Sequence, residues 1–272
     1  MNPEVGSDRR HIEDWWRTSI TEMRPGVIRY RGYSIADLIG RVSFIDMVWL
    51  MSPAQSALLD AALMSAVDHG PAAPSLAIAR MAATCGIGLN GAMASAVNVL
   101  GDIHGGAGEQ AMALYLDVRA RQQSGMPADA ATASAVDDCI AANGKSIPGF
   151  GHRFHPVDPR SGPLMGLVEQ AAAQGMVEGG FVAIARNIEG LLSARKGRPV
   201  PMNIDGATAV IYAELGFAPP LARGLFCLSR SVGILAHAWE QAQRDERIKG
   251  PMPKRFTPAY DGPPPRPLEP RR

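Results

Sequence analysis

A chain of 272 residues with 46% apolar but only 6% aromatic side chains can bury a sizeable core, and its many Ala, Gly, Leu and Met residues favour closely packed helices over a β-sandwich. The formal net charge of +1 provides no global field for nucleic acid or an acidic membrane, so an anionic ligand has to be met by local arginines in a pocket. Three cysteines, Cys85, Cys139 and Cys227, lie far apart without CxxC spacing and read as reduced core residues of a cytoplasmic protein; the polar start carries no signal core, and no stretch approaches the roughly eighteen apolar residues of a membrane span.

In chain order, Val27 to Tyr33 is a short β-prone run, so any sheet is small, and Ser34 then caps a helix beginning at Ile35. Ser52-Pro53 opens a helix through Leu58, Leu59, Ala62 and Leu63 that reaches Asp68-His69-Gly70-Pro71, which puts His69 at a helix C-terminus. A Gly/Ala-rich stretch from Leu76 to Leu100 suits close helix approach and ends in Gly101-Asp102-Ile103-His104-Gly105-Gly106. Helical sequence from Glu109 to Asn143, broken near Gly125-Met126-Pro127, precedes the loop Gly149 to Pro159, and another helical stretch runs from about Leu164 to Ala194. Pro199 to Asn203 is a break before an apolar helix, Ala207 to Leu215. Pro219-Pro220 starts a long helix with Leu221, Leu225, Leu228, Val232, Leu235 and Trp239 at spacings of three and four. The proline-rich tail from Gly262 to Pro270 runs extended. This pattern predicts an all-α or nearly all-α fold.

The loop Gly-Phe-Gly-His-Arg-Phe-His-Pro-Val-Asp-Pro concentrates the chemistry. With Pro148, two glycines and three prolines shape an ordered backbone that presents His152, Arg153, Asp158 and Arg160. Elsewhere His69, His104 and Asp205 also stand beside glycine, and each has an ordinary account: a helix-end cap, a turn residue and an N-cap, respectively. Arg230 falls between apolar neighbours on a helix, where a guanidinium wants a carboxylate or phosphate. His237, two turns on, reads as a satisfied core histidine.

Three other readings fail on spacing. Gly106-Ala107-Gly108-Glu109-Gln110-Ala111 fits a dinucleotide fingerprint without a preceding strand or a βαβ unit. No HExxH-like spacing supports a metal triad, so no metal is expected. The basic cluster Arg244, Arg247, Lys249, Lys254 and Arg255 lacks interleaved aromatics and reads as a solvated face or a small anion site.

Together, His104-Gly105-Gly106-Ala107-Gly108-Glu109, Pro148-Gly149-Phe150-Gly151-His152-Arg153 with Asp158-Pro159-Arg160, and Asn203-Ile204-Asp205-Gly206 resemble the citrate synthase superfamily in order and approximate spacing. Tyr30-Arg31-Gly32-Tyr33 and Leu228-Ser229-Arg230-Ser231-Val232-Gly233 extend the resemblance over nearly the whole chain. Within the superfamily, Thr18-Ser19-Ile20-Thr21-Glu22 and Asp68-His69-Gly70-Pro71 look most like the citryl-CoA lyases, including the lyase portion of ATP-citrate lyase.

The resemblance implies carbon–carbon bond making or breaking between an acyl-CoA and oxaloacetate. By it, Asp205 exchanges the acetyl methyl proton, His104 stabilises the enol, and His152 polarises the ketone or takes the hydroxyl proton of citryl-CoA. Arg160, Arg230 and His69 meet carboxylates, as does Arg255, the counterpart of an arginine that the family takes from a partner subunit, while Lys145 and Arg153 meet coenzyme A phosphates; solvated surface charge is the competing account of Lys145. It further implies a helical homodimer or higher oligomer, with a large domain of residues 1–105 and 216–272 and a smaller inserted domain of residues 106–215. The coenzyme A thioester is substrate, and no cofactor is expected. Citryl-CoA lyase is the leading activity, with citrate or 2-methylcitrate synthase as the alternative. No ATP-binding segment is apparent, so a lyase takes its citryl-CoA from another protein.

Overall fold

The computed structural model describes residues 14–49, 53–144, 146–151, 156–253 and 256–268. Four expected site residues, Lys145, His152, Arg153 and Arg255, lie outside them, as does His155. The described chain is mostly helical and divides into two compact units, Met1–Pro53 and Ala54–Arg272.

In the first unit, strands β1 (Thr21–Arg24), β2 (Val27–Tyr30) and β3 (Tyr33–Ser34) form an antiparallel sheet in the order β1-β2-β3, with Thr21 opposite Tyr30 and Arg29 opposite Ser34. Helices α1 (Ile35–Leu38) and α2 (Phe44–Trp49) follow. The hairpin turns need the left-handed backbone that Gly26 (φ 76°) and Gly32 (φ 88°) supply.

The second unit takes up α3 (Pro53–Ser65), α4 (Pro74–Ala83), α5 (Leu89–Val97), α6 (Ala107–Gln123), α7 (Ala128–Asn143), α8 (Ser161–Ala173), α9 (Gly180–Lys196), α10 (Ile204–Glu214) and α11 (Pro219–Ala242). Helix α11 packs on α4, α5 and α6, while α10 packs on α6, α8 and α9. One core cluster joins Leu76 and Ala79 of α4, Ala92 and Ala96 of α5, and Ile234 and Ala238 of α11. Alanine on every facing surface removes bulk between the helix axes and permits that close approach. The expected boundaries at residues 105/106 and 215/216 fall inside this second unit.

Several expectations change. His69 does not end a helix: α3 stops at Ser65, and His69 lies exposed in the following loop. The stretch from Leu164 to Ala194 is two helices, because Gly175 (φ 70°) and Gly179 (φ 77°) turn the chain and the Glu214 carboxylate caps α9 by accepting from the amides of Gly179 (2.9 Å) and Phe181 (2.7 Å). Leu76 to Leu100 likewise splits around Thr84 to Gly88. Cys85 is exposed rather than buried, with Cys139 and Cys227 half-buried; none of the three is in a disulfide.

The long helix α11 also turns its apolar stripe the other way. Leu228, Val232, Leu235 and Trp239 are exposed, Val232 to 59% and Trp239 to 55%, while the buried face carries Ala222, Leu225, Ser229, Arg230, Gly233, Ile234, Ala238 and Gln241. Small residues and buried polar groups, with only Leu225 and Ile234 as large apolar side chains, dock this helix. No helix among the described residues is long and apolar enough to cross a membrane.

Candidate active site

The site is built where loops meet helix N-termini. Residues 149–151 pair with 201–203: Phe150 bridges Met202 antiparallel, the Gly151 amide donates to the Pro201 carbonyl (2.7 Å), the Asn203 amide to the Gly149 carbonyl (2.9 Å), and the Asn203 side-chain amide to the Gly151 carbonyl (2.7 Å). Such close pairing demands glycine. A β-carbon on Gly149 would lie 2.8 Å from the Gly206 α-carbon, and one on Gly206 would strike the Gly149 carbonyl.

Asn203 is also the N-cap of α10, its Oδ1 accepting from the amides of Asp205 (3.0 Å) and Gly206 (3.2 Å). The cap is therefore not Asp205, which sits in the first turn with its carboxyl free of that duty. Burial pushes the Asp205 pKa above the ordinary carboxylate value, and the nearby Asp158 charge adds to this; the cations of Arg160 and Arg230 pull the other way without cancelling it. A carboxyl so placed can exchange a proton with a weak carbon acid.

His104 stands in the turn between α5 and α6. Its Nε2 accepts from the backbone amide of Ser75 (3.2 Å), in the first turn of α4, and lies 3.1 Å from the Ser75 hydroxyl. An amide can only donate, so Nε2 is the acceptor and the ring proton resides on Nδ1. Burial first, then the Arg230 cation, hold the imidazole pKa below its usual value. The ring is thus neutral at pH 7, with one N–H free for a developing oxyanion. Arg223 of α11 steadies the turn, pairing with Asp102 (2.5 Å) and Glu109 (2.5 Å).

Arg160 and Arg230 converge on the C-terminal end of α3. Arg230 is 5% exposed, donates from Nε to the Ala66 carbonyl (3.0 Å), and lies over the Phe226 ring at 4.8 Å. Arg160 donates from Nη1 to the Ser65 carbonyl (3.4 Å), and Ser229 donates to that of Leu63. Carbonyls at a helix end lack intrahelical partners and carry the negative end of the dipole, which suits two guanidinium groups. Burial lowers the Arg230 pKa, opposed by Asp68 and Asp205. No ion pair to Arg230 is formed among the described residues, and a guanidinium fork suits a carboxylate.

Sequence reasoning named Asp158 in the loop but gave it no role. Its side chain is fully buried and accepts from Arg160 Nε (2.9 Å), Nη2 (2.8 Å) and amide (3.1 Å) and from the Ile204 amide (3.0 Å). Burial alone would raise this carboxyl; the Arg160 guanidinium and amide, with the Ile204 amide, hold it at about 2. Asp158 therefore aims Arg160 and ties the loop to the start of α10. The Asp-Pro-Arg spacing was its only sequence signal. Ser75 was missed because nothing local links it to His104, 29 residues away.

The structure thus brings His104, Asp205, Arg160 and Arg230 into one electrostatic neighbourhood centred on Arg230, which acts on His104 and Asp205. It places His69 beside Asp68 on the exposed side of the loop after α3. The basic cluster is partly paired rather than an open anion site: Arg244 bridges Glu240 (2.6 Å) and Asp261 (3.0 Å), and Lys249 pairs with Glu246. Among the described residues no group of three or more His, Cys, Asp or Glu is placed to hold a metal ion.

Residues 51–252 match the family Citrate synthase, C-terminal domain. The structure of citryl-CoA lyase from Hydrogenobacter thermophilus superposes with a TM-score of 0.75 at 30% identity, covering 93% of this chain and 97% of that one. A citrate synthase from Acidithiobacillus ferridurans is 29% identical over 202 residues, 73% of this chain and 50% of its own length. ATP citrate lyase from Methanothrix soehngenii, solved with citrate and coenzyme A, shares the fold at a TM-score of 0.71 and 19% identity, over 94% of this chain and 44% of that one. The chain belongs to the citrate synthase family. It spans about half the length of the curated citrate synthase it matches and nearly all of the citryl-CoA lyase.

Proposed function

We propose that the protein is a citryl-CoA lyase, cleaving citryl-CoA to acetyl-CoA and oxaloacetate by acid/base retro-aldol chemistry. The observation that carries this reading is that one buried cation, Arg230, acts both on Asp205, a carboxyl raised by burial, and on His104, an imidazole whose pKa is lowered and whose Nε2 is pinned by the Ser75 amide. His152 takes the hydroxyl proton of citryl-CoA, the carbon–carbon bond breaks, and the hydroxyl carbon becomes the ketone of oxaloacetate. The electron pair passes to the thioester enolate, whose oxygen receives the His104 Nδ1–H bond, and protonated Asp205 delivers a proton to the carbon to complete the acetyl methyl. Arg160 and Arg230, with His69 and Arg255, hold carboxylates, and Lys145 and Arg153 meet coenzyme A phosphates. The near-complete coverage of the Hydrogenobacter lyase supports lyase over synthase.

The second reading, citrate or 2-methylcitrate synthase, is favoured by the citrate synthase names of the curated relatives. Both share the carbon–carbon step and differ in thioester hydrolysis. The test supplies acetyl-CoA with oxaloacetate, and separately citryl-CoA, and follows free CoA and acetyl-CoA. A lyase releases acetyl-CoA from the second mixture and no free thiol from the first; free thiol from the first overturns the lyase assignment.

Residues 1–105 with 216–272 and the inserted residues 106–215 act as two domains whose closure excludes water from the enolate. A cytoplasmic homodimer or higher oligomer is the assembly, and the exposed stripe Leu228, Val232, Leu235 and Trp239 on α11 is a face that a second copy can cover. Val232→Glu is expected to lower the mass measured by light scattering; an unchanged mass removes this face from the interface.

A further inference from the structure

Behind the arginines lies a relay that the proposed chemistry does not use. Arg80 of α4 donates from Nη1 to His237 Nδ1 at 3.1 Å, and His237 Nε2 stands 2.9 Å from Asp68 Oδ2. Because a guanidinium can only donate, Nδ1 is the acceptor and the proton lies on Nε2, aimed at Asp68. The other Asp68 oxygen accepts from the Gly70 amide at 2.7 Å, closing a tight turn around His69 with Gly70 at φ 80°. Burial would raise the Asp68 carboxyl, yet the His237 and Gly70 hydrogen bonds bring it below its ordinary value.

The segment that carries Asp68 also meets the site. Within Ser65 to His69, the Ser65 carbonyl accepts from Arg160, the Ala66 carbonyl accepts from Arg230, and the Val67 carbonyl packs so closely on α11 that a β-carbon at Gly233 would collide with it. A β-carbon there would also come within 2.9 Å of Asp68 Oδ2. The Asp68 charge in turn supports the buried Arg230 cation. Both arginine anchors and the His69 turn therefore depend on one short segment, and its charged end is fixed by His237. Arg80 is itself held by Glu240 at 3.4 Å, three residues beyond His237 on α11. The relay lines a cavity of about 630 Å³ between α4, the end of α11 and the C-terminal segment, so His237 is not simply sealed in apolar packing.

We infer that His237 is a positioning residue: with Arg80 it holds Asp68, and through Asp68 it sets the Ser65–His69 segment against which Arg160 and Arg230 bind a substrate carboxylate. This rests on the carboxylate-binding role of the two arginines given above. It predicts an effect on dicarboxylate affinity rather than on the proton-transfer step, because neither His104 nor Asp205 touches the relay.

The test compares His237→Leu with His237→Gln, since a glutamine amide offers one donor for Asp68 and one acceptor for Arg80, as the neutral ring does. Oxaloacetate is titrated calorimetrically into each protein, and kcat and KM are measured for citryl-CoA cleavage. In His237→Leu the oxaloacetate Kd and the citryl-CoA KM rise on the order of tenfold with kcat within about threefold; in His237→Gln both constants stay within about twofold of wild type. Asp68→Asn gives the same rise, and its combination with His237→Leu adds little further, which keeps the assignment open to test if one single variant fails to fold. Equal constants for the Leu and Gln variants, or a loss confined to kcat, overturn the assignment of His237. A wild-type protein that neither binds oxaloacetate nor acts on citryl-CoA overturns the function itself, an outcome distinct from wild-type activity with indistinguishable variants.

Discussion

Asp158 and Arg160 are joined by two parallel hydrogen bonds, Nε to Oδ1 at 2.9 Å and Nη2 to Oδ2 at 2.8 Å, with the carboxylate fully buried. Asp158→Asn keeps the shape but removes the charge and one accepting oxygen. It is expected to raise the KM for citryl-CoA at least tenfold by releasing Arg160 and the Ile204 amide together. The linkage sign is that of a depressed carboxylate: its stability is present above the unfolded value near 3.8 and is lost as pH falls toward about 2. Wild type should lose about 2 kcal/mol across that window, by urea denaturation at stepped pH, and Asp158→Asn should show a flatter acid limb. An unchanged acid limb in the variant would place the proton uptake elsewhere.

Gly149 and Gly206 touch backbone to backbone. Gly206→Ala puts a methyl group against the Gly149 carbonyl and within 2.7 Å of Met202 Cγ, so the 149–151 and 201–203 loops must part. Overpacking of this kind costs about 1–3 kcal/mol, and the shift carries Asp205, the preceding residue, away from its position. Thermal melting and turnover should fall together. Gly166→Ala, at an exposed helical position with nothing near its added β-carbon, is the control: it should leave turnover within error and raise the melting temperature slightly, by the roughly 0.5–1 kcal/mol that alanine gains over glycine in a helix interior.

The helical class, the small sheet and the order of the site motifs were legible because caps, glycines and prolines are local signals. Helix α10 is an example: its sequence predicts a helix from Ala207 to Leu215 stopped by Gly216, and the structure starts it three residues earlier, at Ile204, with Asn203 rather than Asp205 as the cap. Helix α11 was legible in extent but only partly in orientation: of the periodic apolar residues Leu221, Leu225, Leu228, Val232, Leu235 and Trp239, Leu225 is buried but the last four are exposed, and close helix approach is made by Ala222, Gly233 and Ala238. Periodicity weighs side-chain bulk, and a close crossing needs its absence. The site was visible as separate residues but not as geometry, since the Ser75–His104, Asp158–Ile204 and Ala66–Arg230 contacts span 29, 46 and 164 residues of sequence.

The Ser75 amide fixes the His104 tautomer, so the backbone rather than the hydroxyl is the operative group. Ser75→Ala retains that amide and is expected to lower kcat by only a few-fold. Ser75→Pro removes the donor at a first-turn helix position, a placement α11 already tolerates at Pro219-Pro220, and should lower kcat by about 10²-fold as the ring loses its orientation. Steady-state kinetics on both variants, with circular dichroism as a folding check, decides the point. Equal losses in the two variants would assign the role to the hydroxyl.

Asp205 must be protonated to finish cleavage and ionised to begin condensation, so one group predicts opposite pH limbs for the two directions. Its carboxyl is raised by burial, with Asp158 adding to the rise and Arg160 and Arg230 opposing it. Cleavage of citryl-CoA should therefore decline as pH rises through that raised value, and condensation of acetyl-CoA with oxaloacetate should decline as pH falls through it. Both limbs should lie above the usual aspartate value near 4. The same shift acts on stability: a raised folded-state pKa favours the neutral form, so its contribution is present below the unfolded value and is lost as pH rises through the folded one. Ionising Asp205 is then a cost to the fold, and Asp205→Asn should melt at a higher temperature than wild type while losing activity by about 10²- to 10⁴-fold. A variant that melts lower would show that the carboxylate is held by compensating contacts, and one that retains activity would remove Asp205 from the proton-transfer step.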